Sequence, residues 1–162
     1  MSEQNKAIVR RTIEELWTKG NLPLADALFA GNYIHHDLST PDFGPGPEGQ
    51  KKRVTFFRAA FPDLQFAIEE VVAEGQMVTC RWSCKGTHQG PLGGIAPCGK
   101  KVSVSGMSFT KLEGGKIVEG WVNWDSLTLL QQLNVVPVIL KDISDADRPH
   151  PEWKTRTAPG SA

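Results

Sequence analysis

The apolar residues change their period once, at Pro62-Asp63, and that change divides the chain into a helical part followed by a sheet part. Before it, Val9, Ile13, Leu16 and Trp17 stand at i, i+4, i+7 and i+8, the stripe of an amphipathic helix over residues 2–19. Ser2 can cap its start, and Gly20 supplies a left-handed stop. Pro23 opens a shorter helix with Leu24, Ala27, Leu28 and Phe29, ended by Gly31. A third helix, over residues 48–61, gathers Val54, Phe57 and Phe61 on one side and gives Lys51, Lys52, Arg53 and Arg58 the wet face. After Pro62-Asp63, Leu64, Phe66 and Ile68 alternate with Gln65, Ala67 and Glu69, the period of a strand. The alternation slips at Glu69-Glu70-Val71-Val72, as it does at a bulge that bends a sheet.

Three further strands follow, over residues 77–86, 101–112 and 117–125, with Gly114-Gly115 as the hairpin turn between the last two. The segment 89–99, with four glycines and two prolines, is too long and irregular for a tight hairpin and is expected to overhang something. A short helix over residues 127–133 ends the regular pattern. Helices first and an antiparallel meander second make an α+β domain, with the helices segregated to one face of the sheet. Residues 1–140 form that single domain. The apolar run Val135-Val136-Pro137-Val138-Ile139-Leu140 suits the sheet or a partner subunit, and residues 141–162 read as an extended arm.

The 18 Lys+Arg balance 18 Asp+Glu, so no overall field gathers a nucleic acid. No apolar run approaches the roughly 18 residues of a membrane span, and the first residues lack an apolar signal core. With an odd count of 3 cysteines and no secretory signal, a cytoplasmic location without disulfides is expected. Cys80 and Cys84 are four apart in a strand, about 13 Å along its rise and too far to share a metal. A Gly-x-Ser-x-Gly elbow, a phosphate loop and a dinucleotide fingerprint are all missing, which leaves a pocket that needs no cofactor.

The pocket lies on the hollow side of the bent sheet, lined by one parity of each strand. In the last strand Ile117, Glu119, Trp121, Asn123 and Asp125 share that parity. Beside Trp121 and Trp124 a carboxylate loses hydration and becomes a stronger base. Asp125 is thus either such a base or the N-cap of the final helix, whose start it precedes. His88, where the strand gives way to the long loop, can reach a ligand and exchange a proton near neutral pH. His35 and His36 diverge in helix or strand alike, so one at most enters a common pocket, and His36 is assigned to it. Arg81, between Cys80 and Trp82, is an exposed charge.

Several segments in this order resemble the SnoaL-like polyketide cyclases, also called ester cyclases, of the superfamily similar to nuclear transport factor 2. They are Tyr33-Ile34-His35-His36-Asp37, Phe57-Arg58-Ala59-Ala60-Phe61-Pro62-Asp63, Gly86-Thr87-His88-Gln89-Gly90, Gly94-Ile95-Ala96-Pro97-Cys98-Gly99-Lys100, and the close from Gly115 through Trp124-Asp125 to Leu133. The resemblance implies a cone-shaped, curved, mostly antiparallel sheet with three N-terminal helices on its concave face. It also implies homodimers or higher homo-oligomers and a cofactor-independent aldol closure of a small hydrophobic or aromatic carbonyl substrate. Asp125 matches the family's acid/base aspartate and His88 its histidine after Gly-Thr. Trp82, Trp121, Met107 and Phe57 would then wall the pocket. Isomerisation, dehydration or epoxide opening of a small terpenoid- or steroid-like compound is the second enzymatic reading, and a non-catalytic binding or dimerisation module the third.

Overall fold

The computed structural model describes residues 2–137. Helix α1, Ser2–Arg11, begins with Glu3 and ends with Arg10 and Arg11, charges that complement its dipole. It runs on into a π-helical segment, Thr12–Thr18, which buries Ile13 and Leu16. The stop is Gly20, at φ +70°. Arg58 ties this end to the next layer by donating from Nη1 to the carbonyls of Trp17 and Thr18, 3.0 and 2.8 Å away. Helix α2 covers Leu24–Leu28, α3 covers Gly46–Ala60 and α4 covers Ser126–Gln132. Among the described residues no helix is long and apolar enough to cross a membrane.

Five strands form one curved, unclosed sheet in the order β1-β5-β4-β3-β2. They are β1 Phe29–His36, β2 Gln65–Glu74, β3 Met77–Thr87, β4 Lys101–Glu113 and β5 Lys116–Trp124. Neighbours are antiparallel except β1, which joins the edge of β5 in parallel. This strand corrects the helical reading of Phe29. The chain turns extended there (φ −103°, ψ 145°), and Phe29 and Tyr33 both reach the core with ring centroids 4.7 Å apart.

Two bulges decide which side chains face the helices. In β2, Ile68 pairs with Trp82 and Glu70 with Arg81, so Glu69 is the extra residue where the alternation slips. In β5, Leu112 pairs with Ile117 but Lys111 pairs with Glu119, so Val118 is inserted. A one-residue slip moves every later side chain to the other face. Ile117 therefore points inward, and so do Gly120, Val122 and Trp124, while Glu119, Trp121 and Asn123 face away. The outer face carries the row Val72, Thr79, Phe109, Trp121 and His36 across the whole sheet. On the inner face Trp82, Gly106 and Trp124 lie side by side, and a Cβ at Gly106 would come within 2.7 Å of the Trp82 indole and of the Trp124 Cβ.

The core lies between the helices and the inner face. Leu16, Val54, Val78 and Leu112 are among its sealed members, each worth roughly 1.5–3 kcal/mol of burial. The long loop after β3 does not hang free: Gln89 and Gly90 donate their amides to the carbonyl of Ala60 at the end of α3. The 141–162 arm and the run beyond Pro137 lie outside the described residues.

Candidate active site

A cavity of about 150 Å³ remains between the helices and the inner face of the sheet. Most of its wall is apolar, with Trp17, Phe57, Phe66, Trp82, Val104 and Trp124 contributing. Its polar end comes from two elements. Strand β1 and its exit bring Tyr33, His35 and Asp37, two residues apart and so on one side of an extended chain; α3 brings Gln50 and Arg53.

Tyr33 and His35 are joined by a 2.8 Å hydrogen bond between the phenol and Nδ1. Gly120 makes room for the phenol, because a Cβ there would sit 2.8 Å from its oxygen. His35 Nε2 is buried with no hydrogen-bond partner. Burial, with the Arg53 guanidinium adding to it, pushes His35 down to about 4 against the opposing pull of Asp37. The imidazole is accordingly neutral at ordinary pH. Burial pushes the Tyr33 phenol well above its usual range, so it stays a hydroxyl.

Arg53 is the unusual member, only 3% exposed. Its Nη1 donates to Gln50 Oε1 at 2.7 Å and its guanidinium carbon lies 5.3 Å from the centre of the Phe43 ring. Its Nε has no partner, and none of the ion pairs among the described residues includes it. Burial works against its charge, while Asp37 and Asp42 favour it from a distance. Asp37 accepts from Trp124 Nε1 at 3.1 Å and from the amide and hydroxyl of Ser39 at 2.8 and 2.6 Å, which fixes the Trp124 wall.

The residues expected from the sequence divide between this cavity and other places. Trp82 and Phe57 line it. Asp125 does not turn inward as expected: it is exposed, and its Oδ1 accepts the Thr128 amide at 2.9 Å as the N-cap of α4. The Val118 bulge is the reason, since it inverts the parity that pointed Asp125 and Trp121 into the hollow. His36 is on the outer face, its Nε2 2.8 Å from Glu119 and its ring stacked 5.2 Å from that of Trp121. Met107 is 57% exposed on the same face. His88 is fully buried but does not line the cavity; its Nδ1 is 3.4 Å from Cys98 Sγ and its ring packs 5.3 Å from Phe61. Arg81 is exposed, as expected, and pairs with Glu70 at 3.2 Å.

Sequence reasoning missed Tyr33, His35, Asp37, Gln50 and Arg53. A signal was there: Gln50, Arg53, Val54 and Phe57 follow the spacing of one helix face, so Arg53 belongs to the apolar side rather than the wet one. Among the described residues no group of three or more His, Cys, Asp or Glu could hold a metal ion.

Comparison with known proteins agrees with this architecture. The family model for SnoaL-like polyketide cyclases matches residues 7–133. A protein of Acidithiobacillus ferrooxidans assigned as a polyketide cyclase is 32% identical, with TM-score 0.74 over 82% of this chain and 95% of its own. IdmH of Streptomyces antibioticus, likewise assigned as a polyketide cyclase, is 27% identical, with TM-score 0.69 over 81% of this chain and 99% of its own. TsrD of Streptomyces laurentii, at 22% identity and TM-score 0.75 over 83% of this chain and 97% of its own, shares the fold. No curated protein matches the sequence.

Proposed function

The chain belongs to the SnoaL-like polyketide cyclase family, and from that premise we propose that it is a cofactor-independent acid/base enzyme acting on a small apolar carbonyl compound, with His35 moving the proton. The supporting observation is the bare, buried Nε2 of His35 at the polar end of an otherwise apolar cavity. With Nδ1–H donated to the Tyr33 oxygen, the Nε2 lone pair faces the ligand, and Tyr33 acts as the positioning residue. An acid constant near 4 gives the imidazole the base strength of an ordinary carboxylate. Nε2 takes a proton from the carbon next to a carbonyl, the enolate carbon attacks a second carbonyl of the same molecule, and the imidazolium returns the proton to the new alkoxide. Holding the two carbonyl carbons in contact supplies several kcal/mol of the barrier.

Size narrows the substrate. The roughly 300–1,000 Å³ of ordinary ligand pockets exceeds this one, and a cavity of about 150 Å³ takes a single ring. A one-ring product is therefore the fit, not a fused polycycle. The assembly we favour is a second copy on the outer face of the sheet, where Val72, Met107 and Phe109 are exposed around Trp121. Phe109→Lys would convert that dimer to monomers in sedimentation.

Heptane-2,6-dione, whose closure forms one six-membered ring, tests the reading. In D2O the wild type is expected to accelerate deuterium uptake at the methyl groups and ring closure, both followed by NMR, and His35→Gln to lose the acceleration. Uptake without closure selects the isomerase reading. A wild-type rate equal to buffer with the dione bound selects the binding module, and loss in Asp125→Asn but not His35→Gln returns the chemistry to the end of β5.

A further inference from the structure

We infer that the natural ligand of the cavity carries a carboxylate, seated against Arg53, on a body of about one ring. This rests on the reading of the cavity as the reaction chamber and adds what the substrate must contain. A buried cation without a counterion is costly, since the interior does not replace the hydration it loses. Arg53 is in that position: it has a neutral acceptor in Gln50, an aromatic face in Phe43, an unpartnered Nε, and no carboxylate at ion-pair distance among the described residues. Asp37, the carboxylate in the cavity wall, is committed to Trp124 and Ser39.

A carboxylate bound there accepts from Arg53 Nε–H and supplies the charge that the fold omits. Charge-assisted bonds of this kind are roughly twice as strong as neutral ones, more so where water is excluded. The apolar walls then fix the rest of the ligand, with Trp82 and Trp124 offering ring faces. An acid group at one end and an apolar ring at the other distinguish this ligand from a neutral diketone. They also leave His35 beside the carbon chain that joins the two.

Benzoate and acetophenone, similar in size and differing in charge, serve as probes in titration calorimetry on the full chain at low ionic strength. Benzoate is expected to bind at least tenfold more tightly than acetophenone to the wild type. Arg53→Met is expected to remove that preference while leaving acetophenone within about twofold. The wild-type comparison needs no variant, so it holds even if Arg53→Met fails to fold. Equal affinities, or benzoate binding that survives Arg53→Met, would overturn the carboxylate while acetophenone binding keeps the reaction-chamber reading. Binding of neither probe would overturn both.

Discussion

His35 and His88 are built alike and placed differently. Each is held at Nδ1, by Tyr33 in one case and Cys98 in the other, and each has an Nε2 buried without a partner. His35 borders empty volume with a guanidinium nearby, whereas His88 lies against Phe61 just past the end of α3, where its amide donates to the Lys100 carbonyl and its carbonyl accepts the Gly99 amide, closing the base of the long loop. An unsatisfied buried nitrogen costs about 1–3 kcal/mol wherever it is. It becomes chemistry only where a ligand can reach it, which is why the proposed reaction uses His35 and why His88 is read as holding the loop.

The largest expected difference is kinetic. His35→Gln should lower the rate of dione closure by about 10²- to 10⁴-fold, the usual worth of a positioned acid/base group, and an unchanged rate would erase the distinction between the two histidines.

Acidification tests His35 next. His35 faces Tyr33, Arg53, Asp37 and His36, and its folded value of about 4 lies below the unfolded one near 6.5. Between these values the unfolded chain binds more protons than the folded one, so stability falls as pH drops from about 6.5 to 4 and levels below that. The loss is roughly 3 kcal/mol. Urea midpoints at pH 7 and 4.5 should show it in the wild type and not in His35→Gln.

His88→Ala, by contrast, opens a hole in a packed cluster and should cost about 2 kcal/mol in urea unfolding while dione closure stays within a few-fold of wild type. Asp125→Ala removes the α4 cap and should cost about 1 kcal/mol. A collapse of turnover in either variant would move the reaction to that end of the sheet.

What could be read from the residues follows from where each pattern is ambiguous. The β2 bulge was visible because the polar pair Glu69-Glu70 interrupts a clean alternation. The β5 bulge was hidden because both parities carry large apolar groups, Ile117 and Trp121 on one and Val118, Val122 and Trp124 on the other. Choosing the wrong parity sent Trp121 and Asp125 inward, whereas Trp82 and Phe57, on elements with a single clear apolar side, were placed correctly. The choice of His36 over His35 has a similar cause: β1 is short, polar and paired in parallel at an edge, so periodicity does not show which residue turns in. The helices on either side of β1 and the β2–β5 meander stand as read, because they rest on the change of period at Pro62, whereas β1 itself, a strand ahead of that change, carried no period to show it.

The most direct test is an NMR titration of the His35 ring nitrogens, with and without saturating benzoate. Protonation at about pH 4 is expected in the free protein, with an upward shift when the carboxylate is bound. Protonation near the ordinary value of about 6.5, indifferent to benzoate, would contradict this.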